Sequence, residues 1–432
     1  MKRAPFTRLE EAVFHVERMY TPWNIQIEVA TSERIDRTRL REAVRTAYAI
    51  HPIAKARRRP GGKEGTDYDW EVPDEAPVPI EVAEASDVDL DALRQRFYGD
   101  GIDLSTSPPL RLLVVRGGGE RGDLLWVCSS HVPMDGVGAY RILQAICTAY
   151  RGEEPNPSRF AFGESRDVLD GFRPESYRRR VRLLGKTAQR LGYLLDPPSR
   201  LPGAGAPGVA SWRYRHRRLD DGVVDALGEG DDASVNDHLL AAMHLTLDRW
   251  NRDFGAPAER LSVMMPVNLR PREWFYEGVG FYTFFESVAT DAVDRQDAET
   301  ALGRIIDQTR EIKAEQRYLG YLEWLNLVPG AIPLSLKKRL PRLLDGVGGR
   351  LLDTAVLSNL GRLPEPLPAL SGETPESTWF TAPCWLPTPV SIGAATVGEE
   401  MHLGFRYTQS AFDAEKADAF ADRYCERVAE IV

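Results

Sequence analysis

The stretch SSHVPMDGVGAY, residues 129–140, follows the apolar run LLWVC (124–128) and opens a helix-like segment, GVGAYRILQAICTAY (136–150). Two readings compete for it. In the first, a buried strand ends in a turn, His131 lies in that turn, Asp135 caps the next helix and Gly136 opens it. In the second, the same geometry does chemistry. A histidine at the mouth of a buried strand is held rigidly, as a reacting group must be. Its ordinary pKa of about 6.5 lets it accept a proton near neutral pH, and a general base of this kind typically contributes about 10²–10⁴ in rate. The aspartate is a poor relay partner at this spacing, because a tight turn can aim its carboxylate into the protein. A buried carboxylate needs a cation, so an arginine from elsewhere in the chain should reach Asp135.

Around this stretch the N-terminal half alternates strand and helix signals. NIQIEVA (24–30) has the period-two pattern of a half-buried strand. Asp36 precedes RTRLREAVRTAYAI, where Leu40, Val44, Ala47 and Tyr48 recur at helical spacing before Pro52. RLLVVRGGGERGDLLWVCSS (111–130) reads as a hairpin around a glycine-rich turn. The C-terminal half has the same texture. SVNDHLLAAMHLTLDRW (234–250) is helix-like; LSVMMPVNL (261–269), TAVLSNLG (354–361) and MHLGFRY (401–407) are strand-like; a last helix runs from about Ala414. DPPSRLPGAGAPG (196–208) is rich in proline and glycine and reads as a linker between the halves. The expected division is residues 1–170, carrying the His-Asp-Gly motif, then 171–210 as a basic helix and linker, then 211–432.

Composition narrows the class. The chain has 432 residues, enough for two or three domains at roughly 100–200 residues each. A net charge of −9 argues against a nucleic-acid partner, which needs a basic face. The 4 cysteines form no CxxC pair and are too sparse for a disulfide framework, which fits a cytoplasmic protein. The N-terminus lacks the apolar core of a signal peptide, and no run approaches the ~18 apolar residues of a membrane span. There is no phosphate-binding GxxxxGK[ST] loop, no GxSxG elbow and no HExxH motif. His15, His51, His216, His238, His244 and His402 match no catalytic pattern and read as structural. Two basic stretches stand out, at 177–195 and in LSLKKRLPRLL (334–344). They read as solvated faces, or as docking faces for an acyl carrier protein, for the phosphates of coenzyme A or for an anionic membrane surface.

HVPMDG resembles the HHxxxDG motif of the chloramphenicol-acetyltransferase-like superfamily, which includes condensation domains, polyketide-associated acyltransferases and wax-ester synthases. Further segments match in the same order: DRTRLREAVRTAYAIHPIAKARRR (36–59), DLSTSPPLRLLVV (103–115), SVNDHLLAAMHLTLDRW, PVNLRP (266–271) with GVGFYTFF (278–285), and LSNLGRLP (357–364). The resemblance covers nearly the whole chain. It implies an α/β fold of two such subdomains with the site in a tunnel at their interface, and a free-standing acyltransferase. The donor would be an acyl-CoA or a phosphopantetheine thioester on an acyl carrier protein. The acceptor would be an alcohol or amine, with no metal and no tightly bound cofactor. His131 would be the general base. Asp135 would pair with Arg270 to shape the site. Gly136 would leave room for substrate and offer a backbone N–H, and Ser358 or Asn359 could supply oxyanion donors. Two alternatives share the fold: a catalytically inactive module that recruits a partner protein, and an enzyme that epimerises or dehydrates a carrier-bound substrate. The sequence departs from the motif at Ser130, in place of the first histidine, and at Phe281 or Tyr282, in place of an asparagine. The second change suggests a more apolar acceptor pocket.

Overall fold

Eleven elements build the first half of the computed structural model: β1 (Lys2–Pro5), α1 (Arg8–Glu17), β2 (Asn24–Ala30), α2 (Arg37–Ile50), β3 (Arg57–Gly61), β4 (Asp67–Val72), β5 (Ile80–Glu84), α3 (Leu90–Gly99), β6 (Leu110–Arg116), β7 (Leu124–Ser130) and α4 (Gly136–Arg151). The structure describes residues 2–18, 21–61, 66–164, 172, 174, 176–204, 211–228, 232–271, 277–327, 332–339, 348–371 and 375–432. Local chemistry sets the helix starts. Asp36 accepts hydrogen bonds from the N–H groups of Thr38 and Arg39 at 2.7 and 2.8 Å, and such a cap typically stabilises by about 1 kcal/mol. Thr7 and Glu10 form a reciprocal capping box at the start of α1. Helices α2 and α4 lay their apolar faces on the sheet in one core with Ile27, Val29, Leu112 and Leu125.

The second half supplies β8 (Trp212–Arg218), β9 (Arg260–Asn268), β10 (Thr283–Asp291), β11 (Ala355–Arg362), β12 (Ser377–Thr381), β13 (Val390–Val397) and β14 (Glu400–Thr408). Six of these form one sheet in the order β10-β9-β11-β13-β14-β8. The Val235–Asp253 and Ala414–Ile431 helices share its core, with Leu239, Leu247, Phe420 and Tyr424 buried. The first half forms a five-stranded sheet, β12-β2-β7-β6-β5, and a small sheet, β1-β4-β3. Strand β12 therefore crosses over: a segment from the second half pairs antiparallel with β2, from Ser377 opposite Ala30 to Thr381 opposite Gln26. Gly393 and Gly404 lie opposite each other on β13 and β14. A Cβ on either would collide with the Phe380 carbonyl, so these two glycines form the seat on which β12 rests.

Three local expectations change. β2 is buried along its whole length, not on one face: Gln26 and Glu28 point into polar partners, Tyr214 Oη at 3.1 Å and the Arg94 guanidinium at 3.0 Å. The front of the expected linker is packed, not a tether. Leu201 is 2% exposed within the second core, and the Arg200 guanidinium bonds the Asp353 carbonyl at 2.8 Å; residues 205–208 lie outside those described. The 177–195 stretch is a helix over Tyr177–Ala188 and a 3-10 segment over Gln189–Leu194. Several of its cations are engaged internally: Arg180 with Glu323, Lys186 with Glu315, and Arg190 with Asp353. In the second basic stretch, Lys337 is buried against Glu11 at 3.0 Å; residues 340–344 are outside those described. No helix among the described residues is long and apolar enough to cross a membrane.

Candidate active site

Strand β7 ends at Ser130, and the chain turns through His131–Asp135 before α4 begins at Gly136. The His131 N–H donates to the Trp23 carbonyl at 2.7 Å, which fixes the ring's backbone against the segment before β2. Phe281 packs on the imidazole with ring centroids 4.7 Å apart, and Trp23 stands 6.2 Å away on another side. The ring is half-buried, and its Nδ1 is sealed from solvent without a well-formed hydrogen bond. The accessible Nε2 edge therefore faces the adjoining cavity. Burial pushes the imidazole pKa below its ordinary value; the Asp135 charge and the nearby backbone of His131 and Met134 only partly offset this. At neutral pH the group is an uncharged base.

Asp135 sits beneath it, 1% exposed, with its carboxylate turned away into the protein. Arg270 grips it bidentately, Nη1 to Oδ2 and Nη2 to Oδ1, both at 2.8 Å. Three more donors complete the shell: the N–H of Gly138 and the N–H of Tyr282, each at 2.9 Å, and the Thr283 hydroxyl at 2.9 Å. Desolvation opposes the charge, but Arg270 and these donors outweigh it and hold the carboxyl below the usual carboxylate range. The Arg270 side chain also donates to the carbonyls of Gly278 and Gly280 and to Asn268 Oδ1, and it lies over the Tyr282 ring at 4.6 Å. One ion pair thus ties the start of α4 to β9, β10 and their connection. Gly138 is part of this junction: a Cβ there would lie 3.1 Å from Met134 and 3.3 Å from the Gly280 backbone.

A cavity of about 350 Å³ opens over His131, between the two sheets. Its walls are mostly apolar: α1 contributes Leu9, Val13 and Val16, β9 Met264, and β10 Phe284 and Phe285. Trp23 and Trp385 stack at its rim, 4.6 Å between centroids. Gly136, Ser358 and Asn359 all line it. A Cβ on Gly136 would come within 3.3 Å of Leu360. The Asn359 side-chain Oδ1 accepts from the Gly361 N–H at 2.8 Å, leaving its Nδ2 group as the available donor. Phe281 also lines the cavity and covers the imidazole, whereas Tyr282 is buried beneath, 2% exposed. Ser130 is buried, and its hydroxyl accepts from the Val132 N–H at 3.2 Å. The contribution of α1 was not anticipated from sequence, since its apolar residues carry no motif.

A wider polar cleft of about 1300 Å³ lies at the other end of β7, beside Leu124. Six residues of strand, about 20 Å, separate it from His131. It contains His216 and His402, whose rings meet at 3.0 Å. Burial drives their pKa values down to about 3 and about 4, so the pair is neutral and structural. His244 is likewise buried, bonded to the Thr290 hydroxyl at 2.8 Å. The smaller cavity is the candidate site, where a neutral imidazole meets an apolar space.

No family model matches the chain. It is 29% identical over 412 residues to the uncharacterized protein Rv2305 of Mycobacterium tuberculosis strain H37Rv, covering 93% of each. Among solved structures it superposes on the first condensation domain of the calcium-dependent antibiotic synthetase, in complex with a substrate analogue, with a TM-score of 0.73 and 15% identity over 100% of this chain and 96% of that one. The starter condensation domain of rhizomide synthetase, in complex with C8-CoA and Leu-SNAC, gives a TM-score of 0.68 and 12% identity over 99% and 94%. The epimerization domain of tyrocidine synthetase B and the X-domain from teicoplanin biosynthesis share the fold at TM-scores of 0.63 and 0.61. The chain shares the two-lobed fold of these condensation domains.

Proposed function

We propose that this condensation-domain fold carries an acyltransferase that moves an acyl group from a coenzyme A or carrier-protein thioester to a hydroxyl or amine, with His131 as general base. The observation that supports it most directly is the uncharged imidazole, with Nδ1 sealed and Nε2 facing an apolar cavity. Nε2 accepts the acceptor's proton as its oxygen or nitrogen attacks the thioester carbonyl. The tetrahedral intermediate then collapses, the C–S bond breaks, and the protonated imidazole returns the proton to the leaving sulfur. Asp135 and Arg270 neutralise each other, so they position the turn and take no proton. The Gly136 N–H at the head of α4 and the side chains of Ser358 and Asn359 border the space where the oxyanion develops, and oriented donors there stabilise it.

A second reading keeps the base and changes the reaction. Proton removal next to a thioester carbonyl uses the same histidine, and the epimerization domain has the same fold. The deciding experiment measures free-thiol release from acyl-CoA and acyl-pantetheine donors with pooled alcohols and amines, for the wild type and His131→Ala. Release that needs both acceptor and His131, with a product heavier by the acyl group, supports transfer. A His131-dependent change in configuration at constant mass would replace it with epimerisation. Equal release by both proteins would remove His131 from the mechanism.

A further inference from the structure

We propose that the exposed stripe along residues 177–195, together with Trp324 and Leu327, docks this protein on an anionic membrane surface. The stripe is Tyr177, Val181, Leu191 and Leu195, which are 80, 49, 53 and 88% exposed; Leu184 and Ala188 continue the same three-and-four spacing between them. One flank of the segment is buried through Leu183, Thr187 and Tyr193. The Leu319–Asn326 helix packs alongside, with Arg180 paired to Glu323 and the Trp324 indole N–H donating to the Thr187 hydroxyl at 3.0 Å. This fixes Trp324, 44% exposed, and Leu327, 49% exposed, at the flank of the segment. Monomer surfaces rarely gather large apolar side chains in this way.

Charge selects the occupant. Residues 177–195 hold six cations and no acid; Arg180, Lys186 and Arg190 are paired with Glu323, Glu315 and Asp353, which leaves the charge of the face to Arg178, Arg179 and Arg182. Arg178 and Arg182 are exposed and make no ion pair among the described residues; Glu315, near Arg182, is already bonded to Lys186. Leucine with flanking arginine, tyrosine and tryptophan is the composition of a helix that lies in a bilayer interface. A partner helix in a coiled coil fits less well. Such a seam needs three or more heptads of continuous α-helix, and this helix passes into a 3-10 segment after Ala188. The Leu319–Asn326 helix also rests on α1, which lines the cavity.

The test is flotation of the intact protein with vesicles of phosphatidylcholine alone or mixed with phosphatidylglycerol. The wild type should float with the anionic vesicles, less as salt rises, and not with phosphatidylcholine alone. Val181→Asp combined with Leu195→Asp should weaken partition at least about tenfold. Arg178→Gln with Arg182→Gln should weaken it about thirtyfold. Both pairs are exposed, and unchanged melting curves would show that folding is intact. Absence of wild-type flotation, or flotation of the variants equal to wild type, would overturn the proposal. Capture of an acidic carrier protein through Arg178 and Arg182, without vesicle binding, would give the face to a protein instead.

Discussion

Asp135→Asn is the most informative single change, because it keeps the shape and removes the charge. Each carboxylate oxygen meets donors only: Oδ1 takes the Gly138 N–H and Arg270 Nη2, while Oδ2 takes Arg270 Nη1, the Tyr282 N–H and the Thr283 hydroxyl. An asparagine must place its own N–H₂ group where one oxygen was. Whichever way it turns, at least two donors lose an acceptor, and Arg270 is left buried without a counter-charge. Breaking a buried pair typically costs about 3–5 kcal/mol, which in a cooperative unit of 432 residues lowers the melting temperature by roughly 3–6 °C. The loss should appear first as stability, with activity falling because β10 and α4 no longer share an anchor beside His131. His131→Ala should do the opposite: turnover falls at least ~100-fold with little change in melting, since its Nδ1 makes no well-formed hydrogen bond. Denaturant unfolding and thiol release on both variants decide the matter. Unchanged stability and activity in Asp135→Asn would refute the argument that this ion pair builds the site.

Further outcomes follow from the same structure. The rate should rise with pH through the His131 pKa, with a midpoint below the ordinary imidazole value of about 6.5 and a plateau above 7, because the neutral form is the base; an acid limb centred above 7 would contradict the burial argument. Stability should fall as pH drops below about 6.5, each depressed histidine contributing about 1.4 kcal/mol per pH unit. His51, His216 and His244 sit near 3 and His402 near 4 when folded. The unfolded chain binds protons first, so the loss runs from the unfolded pKa down toward these values. Urea unfolding at pH 7.5, 6 and 5 reads it directly. Gly404→Ala should cost about 1–3 kcal/mol by displacing β12 from its seat. Gly185→Ala, in open space on a helix, should instead gain about 0.5–1 kcal/mol. Melting curves of the two should move in opposite directions.

Much of the site was legible because it rests on local geometry. A strand, a turn and a capped helix are written into residues 124–151, and His131 at their junction is fixed by the chain on either side. The need for a long-range cation followed from energetics, since a carboxylate aimed into the protein requires one; that the cation is Arg270 came from the resemblance of PVNLRP to the family segment, and the structure pairs the two. Other features were not legible. NIQIEVA alternates like a strand with one wet face, yet Gln26 and Glu28 are buried because Tyr214 and Arg94, distant in sequence, receive them. The proline and glycine of residues 196–204 suggested a tether, but Leu201 found a core.

The sequence by itself determined the element types, their order, the caps and the chemistry of the turn, because hydrophobic period and capping act over a few residues. Only the tertiary structure decided what faces the histidine. The crossing of β12 into the other half's sheet, the apolar wall from α1 and the covering of the imidazole by Phe281 arise from contacts between segments tens to hundreds of residues apart. Those contacts set the burial that keeps His131 neutral. The histidine's position is a local property of the chain, but its protonation state depends on the whole protein excluding water around it.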